Sequence, residues 1–307
     1  MEKNNVKEDA GFAGIDVAKE VGEISYRALQ KAKGMIKPGV RLIEVAQAVE
    51  SYVKENKYGI AFPLNLSINN EAAHYTPSID DTKVFSDNDL VKVDFGAAKE
   101  GALGDCAVTV DLSGKMQTLV EASEEALKAA ISIAKAGVKV REIGKVIENA
   151  IISRGYQPIR NLGGHTVGLH ELHSNIFVPN YDNGDETILE EGMIVAIEPF
   201  ATTGKGMVTE SDVCEIYSYD MEAQTRMKEA RILLGLIQKN YPTEPFAVRW
   251  LANAMESSFS IYAGISELSR SGALMPYPTL IEISGGAVSQ AEAEIVVEKD
   301  GCEVVTK

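Results

Sequence analysis

Two stretches of the chain carry apolar residues at helical spacing, in the same order. Leu42, Val45, Val49 and Val53 fall on one face of a helix, and Val140, Ile143, Ile147 and Ile151 repeat the stripe. The likeness extends outward from both. Ala28-Leu29, Gly39-Val40, Glu44-Val45, Val49-Glu50 and Tyr58 recur as Ala126-Leu127, Gly137-Val138, Glu142-Ile143, Ile147-Glu148 and Tyr156. Each copy reads as a helix, a glycine-centred turn and a second helix. Each then leads to a strand, Phe85 to Asp94 matching Leu189 to Glu198 position for position. A buried strand accounts for the apolar residues, but not for the carboxylate that ends both copies. Convergence of two amphipathic units is one explanation. The other is a duplicated α/β unit whose pseudo-twofold axis brings Asp94 and Glu198 to one shared site.

From about Ala201 to Met275 the pattern changes. Met221 to Asn240 reads as helix, with Met227, Ala230, Leu233, Leu234 and Ile237 on its apolar side. Pro242 and Pro245 stop it and start another around Trp250 and Leu251. The first copy has no counterpart, so residues 202–275 are predicted to form an inserted helical, winged-helix-like subdomain. Residues 1–201 and 276–307 then make up the main domain. Acidic residues slightly outnumber basic ones in the insertion, which favours a structural or pocket-covering role over DNA binding. Strand character returns after Pro278, at Ile281-Glu-Ile283 and Ile295-Val-Val297.

Charge narrows the partners. The 307 residues carry a formal net charge of −15 and no run of Lys or Arg, which disfavours nucleic acid and anionic membrane surfaces. Cys106, Cys214 and Cys302 are odd in number and widely spaced, as expected of reduced thiols in the cytosol. Met1 to Ala10 is polar, unlike a signal peptide. No apolar run approaches the ~20 residues that span a bilayer. A soluble, cytoplasmic protein is predicted.

The candidate chemistry lies in acids and imidazoles. Val91 to Gly96 and Gly104 to Val110 alternate like strands around a turn at Lys99-Glu100-Gly101. Folding at residues 99 and 100 would set Asp94 directly opposite Asp105, with Cβ atoms ~4.5–5.5 Å apart and like charges repelling. Such a pair needs a shared proton or a cation, unless a looser turn splays both into solvent. His165, His170 and His173, three of the four histidines, lie in one Gly-flanked segment whose spacing fits neither HExxH nor a zinc finger. The fourth, His74, sits in the polar loop Asn69 to Pro77 and reads equally as catalytic or as solvated. Glu198 closes the apolar run Met193 to Ile197, a costly place for a carboxylate unless it is paired or metal-bound. Glu292 and Glu294 share one strand face, and their periodicity by itself places them at the surface.

Taken in order, these motifs resemble the type II methionine aminopeptidases of peptidase family M24. The likeness rests on Phe62-Pro63, Asn69-Asn70 and Ala72 to Pro77, then Val93 to Gly96, Gly104-Asp105 and Ala107 to Val110. It continues through Gly164-His165, His173, Ile197 to Ala201, Gly204-Lys205-Gly206 and Gln290-Ala-Glu292, and so spans nearly the whole chain. The resemblance implies an α+β pita-bread fold, a duplicated α/β unit around a pair of divalent ions: Co, Mn, Fe or Zn. It implies that Asp94 binds the first metal, Asp105 bridges both, His165 and Glu198 bind the second, and Glu292 bridges. Ala293 stands where the family commonly has His, so Glu294 stays open as an alternative to Glu292. By the same resemblance His74 and His173 are the catalytic, substrate-contacting histidines, and Phe62 and Leu172 line the methionine pocket. His170 receives no role. The implied activity is removal of the initiator methionine before a small second residue, on nascent polypeptide N-termini near the ribosome, by a monomer. A proline-directed peptidase and a non-catalytic scaffold on the same fold are the alternatives.

Overall fold

The computed structural model describes residues 14–307, so the reading of Met1 to Ala10 lies outside the described residues. The first half opens with α1 (Ile15–Met35) and α2 (Leu42–Glu55). Helix α2 buries Leu42, Val45, Val49 and Val53, the stripe that predicts it. The helices cover a sheet of β1 (Gly59–Ile68), β3 (Leu90–Lys99), β4 (Ala102–Leu103) and β5 (Cys106–Asp111), and β2 (Glu71–Ala73) lies apart from it. Leu29, Val45, Val49, Leu64, Val93 and Phe95 form its core.

The second half repeats the plan. Helices α3 (Gln117–Ile133) and α4 (Val140–Ser153) precede β6 (Gln157–Pro158), β7 (Gly163–Val167), β8 (Phe177–Pro179), β9 (Ile194–Ile197) and β10 (Phe200–Thr202). The duplication holds to single hydrogen bonds. Gly39 and Gly137 both take φ 85°, and their N–H groups donate to the carbonyls of Phe85 and Leu189 at 2.8 Å each. That left-handed turn admits glycine without penalty. Leu42 and Val140 likewise donate to Lys83 and Thr187.

The hairpin between Asp94 and Asp105 turns one residue later than expected. Glu100 and Gly101 have φ 51° and 83°, the pattern of a type I′ turn. The register therefore pairs Asp94 with Ala107, and Asp105 lies on the diagonal. The partner shifts by two residues, which keeps both acids on one face of the pleat.

After β11 (Val208–Glu210) the chain enters a compact unit of β12 (Ile216–Tyr219), α5 (Lys228–Asn240), β13 (Phe246–Ala247), a 3₁₀ helix (Val248–Ala254), α6 (Ser258–Arg270) and β14 (Leu274–Tyr277). It contains a three-stranded sheet, ordered β13-β12-β14, whose strands the reading of a helical, winged-helix-like unit does not specify. Helix α5 starts at Lys228 and not at Met221. The Thr225 hydroxyl accepts the Met227 N–H at 3.2 Å, a local bond that competes with helix. Strand β11 pairs with β15 (Leu280–Glu282), which pairs with β2, so residues 208–210 pack outside this unit. The unit has its own core around Leu233, Ile237, Phe246 and Ile265.

The last segment ties the halves together. Strand β16 (Val288–Gln290) pairs with β10, and β17 (Ala293–Val297) pairs with β9 and with β18 (Cys302–Val304). Between β16 and β17, the Glu292 N–H donates to the Ala107 carbonyl of the first half at 3.0 Å. Among the described residues, no helix is long and apolar enough to cross a membrane.

Candidate metal centre and active site

Each acid reaches the junction of the two halves from its own strand. Asp94 sits within β3 opposite Asn65 of β1. A Cβ on Gly96 would lie 1.7 Å from the Gly104 carbonyl oxygen, so glycine there lets β3 approach the segment leading into Asp105. His165 in β7 pairs with Ala196 in β9, and Glu198 follows the end of β9. Gly164 serves the same close approach, since a Cβ there would meet the Ala196 carbonyl oxygen at 2.1 Å.

The side chains converge. Ligand-type atoms of Asp105, His165 and Glu292 lie within 4.8 Å of one another, all three residues buried. His165 Nε2 is 3.5 Å from Asp105 Oδ2 and 3.8 Å from Glu198 Oε1. Its Nδ1 lies 3.3 Å from the Thr166 carbonyl, a bond that needs the proton on Nδ1 and turns the Nε2 lone pair toward the acids. The Gln290 amide Nε2 joins Asp94 Oδ2 at 3.4 Å to Glu198 Oε2 at 3.3 Å.

The electrostatics require a cation or protons. Burial lifts Asp94 to about 7, against a downward pull from the Gln290 amide. Asp105, Glu198 and Glu292 are raised well above the carboxylate range, by burial first and then by the neighbouring acids. Asp94 Oδ1 and Glu292 Oε2 are buried without a hydrogen-bond partner. Among the described residues no Lys or Arg lines the cavity. Four carboxylates with one imidazole, and orphaned oxygens among them, fit divalent metal of the first transition row or its hard neighbours.

The centre opens into a cavity of about 340 Å³. His74, His173, Phe62 and Leu172 line it together with the five acid and imidazole groups. The rings of His165 and His173 meet edge to face at 4.4 Å, and His74 meets Tyr277 edge to face at 5.9 Å. Protein packed around His74, then the nearby His173, lowers it to about 4, against a smaller upward pull from the Pro278 carbonyl. His165 is lowered to about 3, by burial first and His173 second. Glu294 is fully buried, but outside the cavity. His170 is exposed and faces Glu244 at 3.2 Å, also outside the cavity.

Known proteins resemble the chain in sequence and fold. The profile of metallopeptidase family M24 matches residues 16–223. A methionine aminopeptidase of Pyrococcus horikoshii is 45% identical over 95% of this chain and 99% of its own. The chain belongs to metallopeptidase family M24. A second M24 relative, a methionine aminopeptidase of Archaeoglobus fulgidus, is 46% identical over 94% of this chain and 97% of its own. These archaeal M24 relatives agree with the type II assignment. In fold, the chain matches the crystal structure of a methionine aminopeptidase from Thermotoga maritima with a TM-score of 0.69 at 24% identity, over 94% of each chain. The architecture is thus the M24 pita-bread fold, and divalent-metal use goes with the family.

Several residues at or beside the centre escape the sequence reading. Gln290 stands only as part of a motif there, and its amide bridge is a tertiary fact. Asn65 lines the cavity opposite Asp94, its buried Oδ1 without a partner. Ile216, Pro245 and Tyr277 reach the cavity from the inserted unit. A covering role for the insertion is the only hint of them in the sequence.

Proposed function

We propose that this M24 metallopeptidase removes the N-terminal methionine from polypeptides whose second residue is small and uncharged. The observation that carries the reading is one cavity in which an apolar wall of Phe62, Leu172, Phe200, Ile216 and Tyr277 adjoins the acid cluster. An unbranched thioether side chain suits such a wall, and the full-length identity to methionine aminopeptidases supports it.

Asp94, Asp105, His165, Glu198 and Glu292 would hold two divalent ions: Co, Mn, Fe or Zn. When bound, such a pair supplies an activated water and polarises the scissile carbonyl. The chain's own groups do the rest. The carboxylate of Asp94 receives the free N-terminal amine, which confines cleavage to the first residue. His173 donates a hydrogen bond to the developing oxyanion. His74 moves a proton at the scissile nitrogen, its neutral ring being ready to accept and return one. A pocket that grips the methionine side chain beside so crowded a centre leaves little space for a bulky second residue.

Three free cysteines support a cytoplasmic place for this activity. Assay of the metal-reconstituted protein on Met-Ala-Ser, Met-Arg-Ser and Ala-Pro peptides tests the activity. Met-Ala-Ser should be cleaved fastest. Faster cleavage of Ala-Pro would establish a proline-directed peptidase instead, and equal kcat/KM on both Met peptides would remove the size filter.

A further inference from the structure

His74 occupies a backbone conformation that side chains avoid. Its φ is 66°, in the left-handed region, which is uncommon for any residue but glycine although histidine enters it more often than most. Contacts on both sides of the residue hold this conformation. On the N-terminal side, β2 supplies the restraint by pairing with β15. On the C-terminal side Tyr75 is held to β1, its carbonyl accepting the Leu66 N–H at 2.7 Å and its N–H donating to Ser67 Oγ at 3.3 Å, and the insertion grips the next two residues. Arg249 Nη1 donates to Thr76 Oγ1 at 2.6 Å and to the Pro77 carbonyl at 3.1 Å. Thr76 Oγ1 in turn donates to the Leu64 carbonyl at 2.7 Å.

The other end of Arg249 is tied to the first half. Its Nη2 pairs with Glu50 of α2, and Glu50 also accepts the Trp250 Nε1–H at 2.8 Å and the Leu64 N–H at 3.3 Å. Arg249 is 7% exposed and Glu50 5%. A buried ion pair adds little net stability, so its value lies in the geometry it dictates. The internal duplication supplies a control. Glu148, the counterpart of Glu50 on α4, is half-buried and pairs with Arg160 at 3.2 Å, within its own half. Only the copy that adjoins the His74 loop directs this glutamate to the insertion.

We propose that Arg249 is a positioning residue for His74: anchored on Glu50, it grips Thr76 and Pro77 and so fixes the left-handed turn that aims the His74 imidazole into the cavity. The inserted unit then serves the chemistry as well as the pocket wall. This role rests on His74 acting as the proton-transfer group proposed above.

A double-mutant cycle on the metal-loaded, full-length chain tests it. The set is His74→Ala, Arg249→Lys and the combination, assayed on one Met-Ala peptide. Arg249→Lys loses the two-pronged grip, and a displacement of about 1 Å at a reacting group costs on the order of 10²-fold. The expected result is a fall in kcat of about 10–100-fold at nearly unchanged KM and metal content. In the His74→Ala background, Arg249→Lys should then cost no more than about twofold. Losses that multiply in the double variant would show that Arg249 acts elsewhere and overturn the proposal, while a harmless His74→Ala would remove the reading beneath it. Should Arg249→Lys not give a cooperative melt, Thr76→Val takes its place in the cycle with the same expectations. The metal-free protein offers a second measurement, because the chain has four histidines to assign. Arg249→Lys should move the ring-proton resonances of His74, shifted by the Tyr277 ring, and leave those of His170 in place. Unmoved His74 resonances would also overturn the proposal.

Discussion

The imidazoles of His165 and His173 meet edge to face, with ring centroids 4.4 Å apart and planes at 73°. One ring faces the acids, and the other reaches past it into the cavity from the loop between β7 and β8. Neighbours in space, they are assigned different work. His173→Ala should lower kcat by about 10²–10³-fold and His74→Ala by about 10²–10⁴-fold, both with unchanged metal content. His170→Ala, whose ring faces Glu244 outside the cavity, should change little. Metal stoichiometry measured beside kcat decides. Loss of an ion from His173→Ala would make that residue a ligand.

Protonation sets how strongly metal stabilises the protein. Asp94 rises from 3.8 to about 7, so without metal the folded chain keeps a proton that the unfolded chain releases. Its contribution is present below pH 3.8 and is lost as pH rises through about 7. His74 and His165 work the other way. Lowered from 6.5 to about 4 and about 3, they contribute fully above pH 6.5 and lose that contribution as pH falls. Bound metal replaces the acid protons, so the gap in Tm between metal-loaded and chelated protein should widen from about pH 6 to about pH 8. A gap constant across that range would mean the acids do not hold the metal.

Among the described residues, Gln290 is the one side-chain amide that touches a cavity acid from each half. Gln290→Leu removes both contacts and leaves Asp94 and Glu198 to face each other. Loss of a group that orients ligands typically costs about 10–100-fold in metal affinity. Calorimetric titration of the chelated variant with Mn²⁺ or Co²⁺ measures it, and wild-type affinity would leave Gln290 a purely structural role.

Gly96→Ala would force β3 away from Gly104, next to both aspartates. Overpacking of this kind costs about 1–3 kcal/mol. Here it should also weaken metal binding, because the displaced backbone carries Asp94 and Asp105. Denaturant melts with and without metal separate the two effects. A stability loss identical in both conditions would show that the centre tolerates the shift.

What the sequence discloses depends on how local the cause is. The duplication is legible because the stripes on α2 and α4 and the two glycine turns are written in single residues. Glu198 is legible because a charge at the end of an apolar run is costly whatever surrounds it. Glu292 is not. Its Glu-Ala-Glu alternation imitates a solvent-facing strand, and only the sheet formed with β9 and β18 shows that β17 is buried throughout. The hairpin register misses by one turn residue because Glu100 adopts a positive φ that its side chain does not advertise. Ile216, Pro245 and Tyr277 belong to the cavity only through the docking of the insertion, which no local pattern encodes. His74 is the intermediate case, since its setting in a polar loop hides a conformation that tertiary contacts impose.

The position of Glu292 bears on how the protein is made. Asp94, Asp105, His165 and Glu198 all precede the insertion, whereas Glu292 follows it. Chains fold from the N-terminal side as they are synthesised, so four of the proposed ligands are in place long before the fifth is translated. The strands that bury the centre, β16 and β17, arrive with it. If these five hold the metal, loading waits for the strands that follow the insertion, and a chain that lacks them would be no peptidase. Its hydrolytic power would begin only once Glu292 and the strands around it have been made.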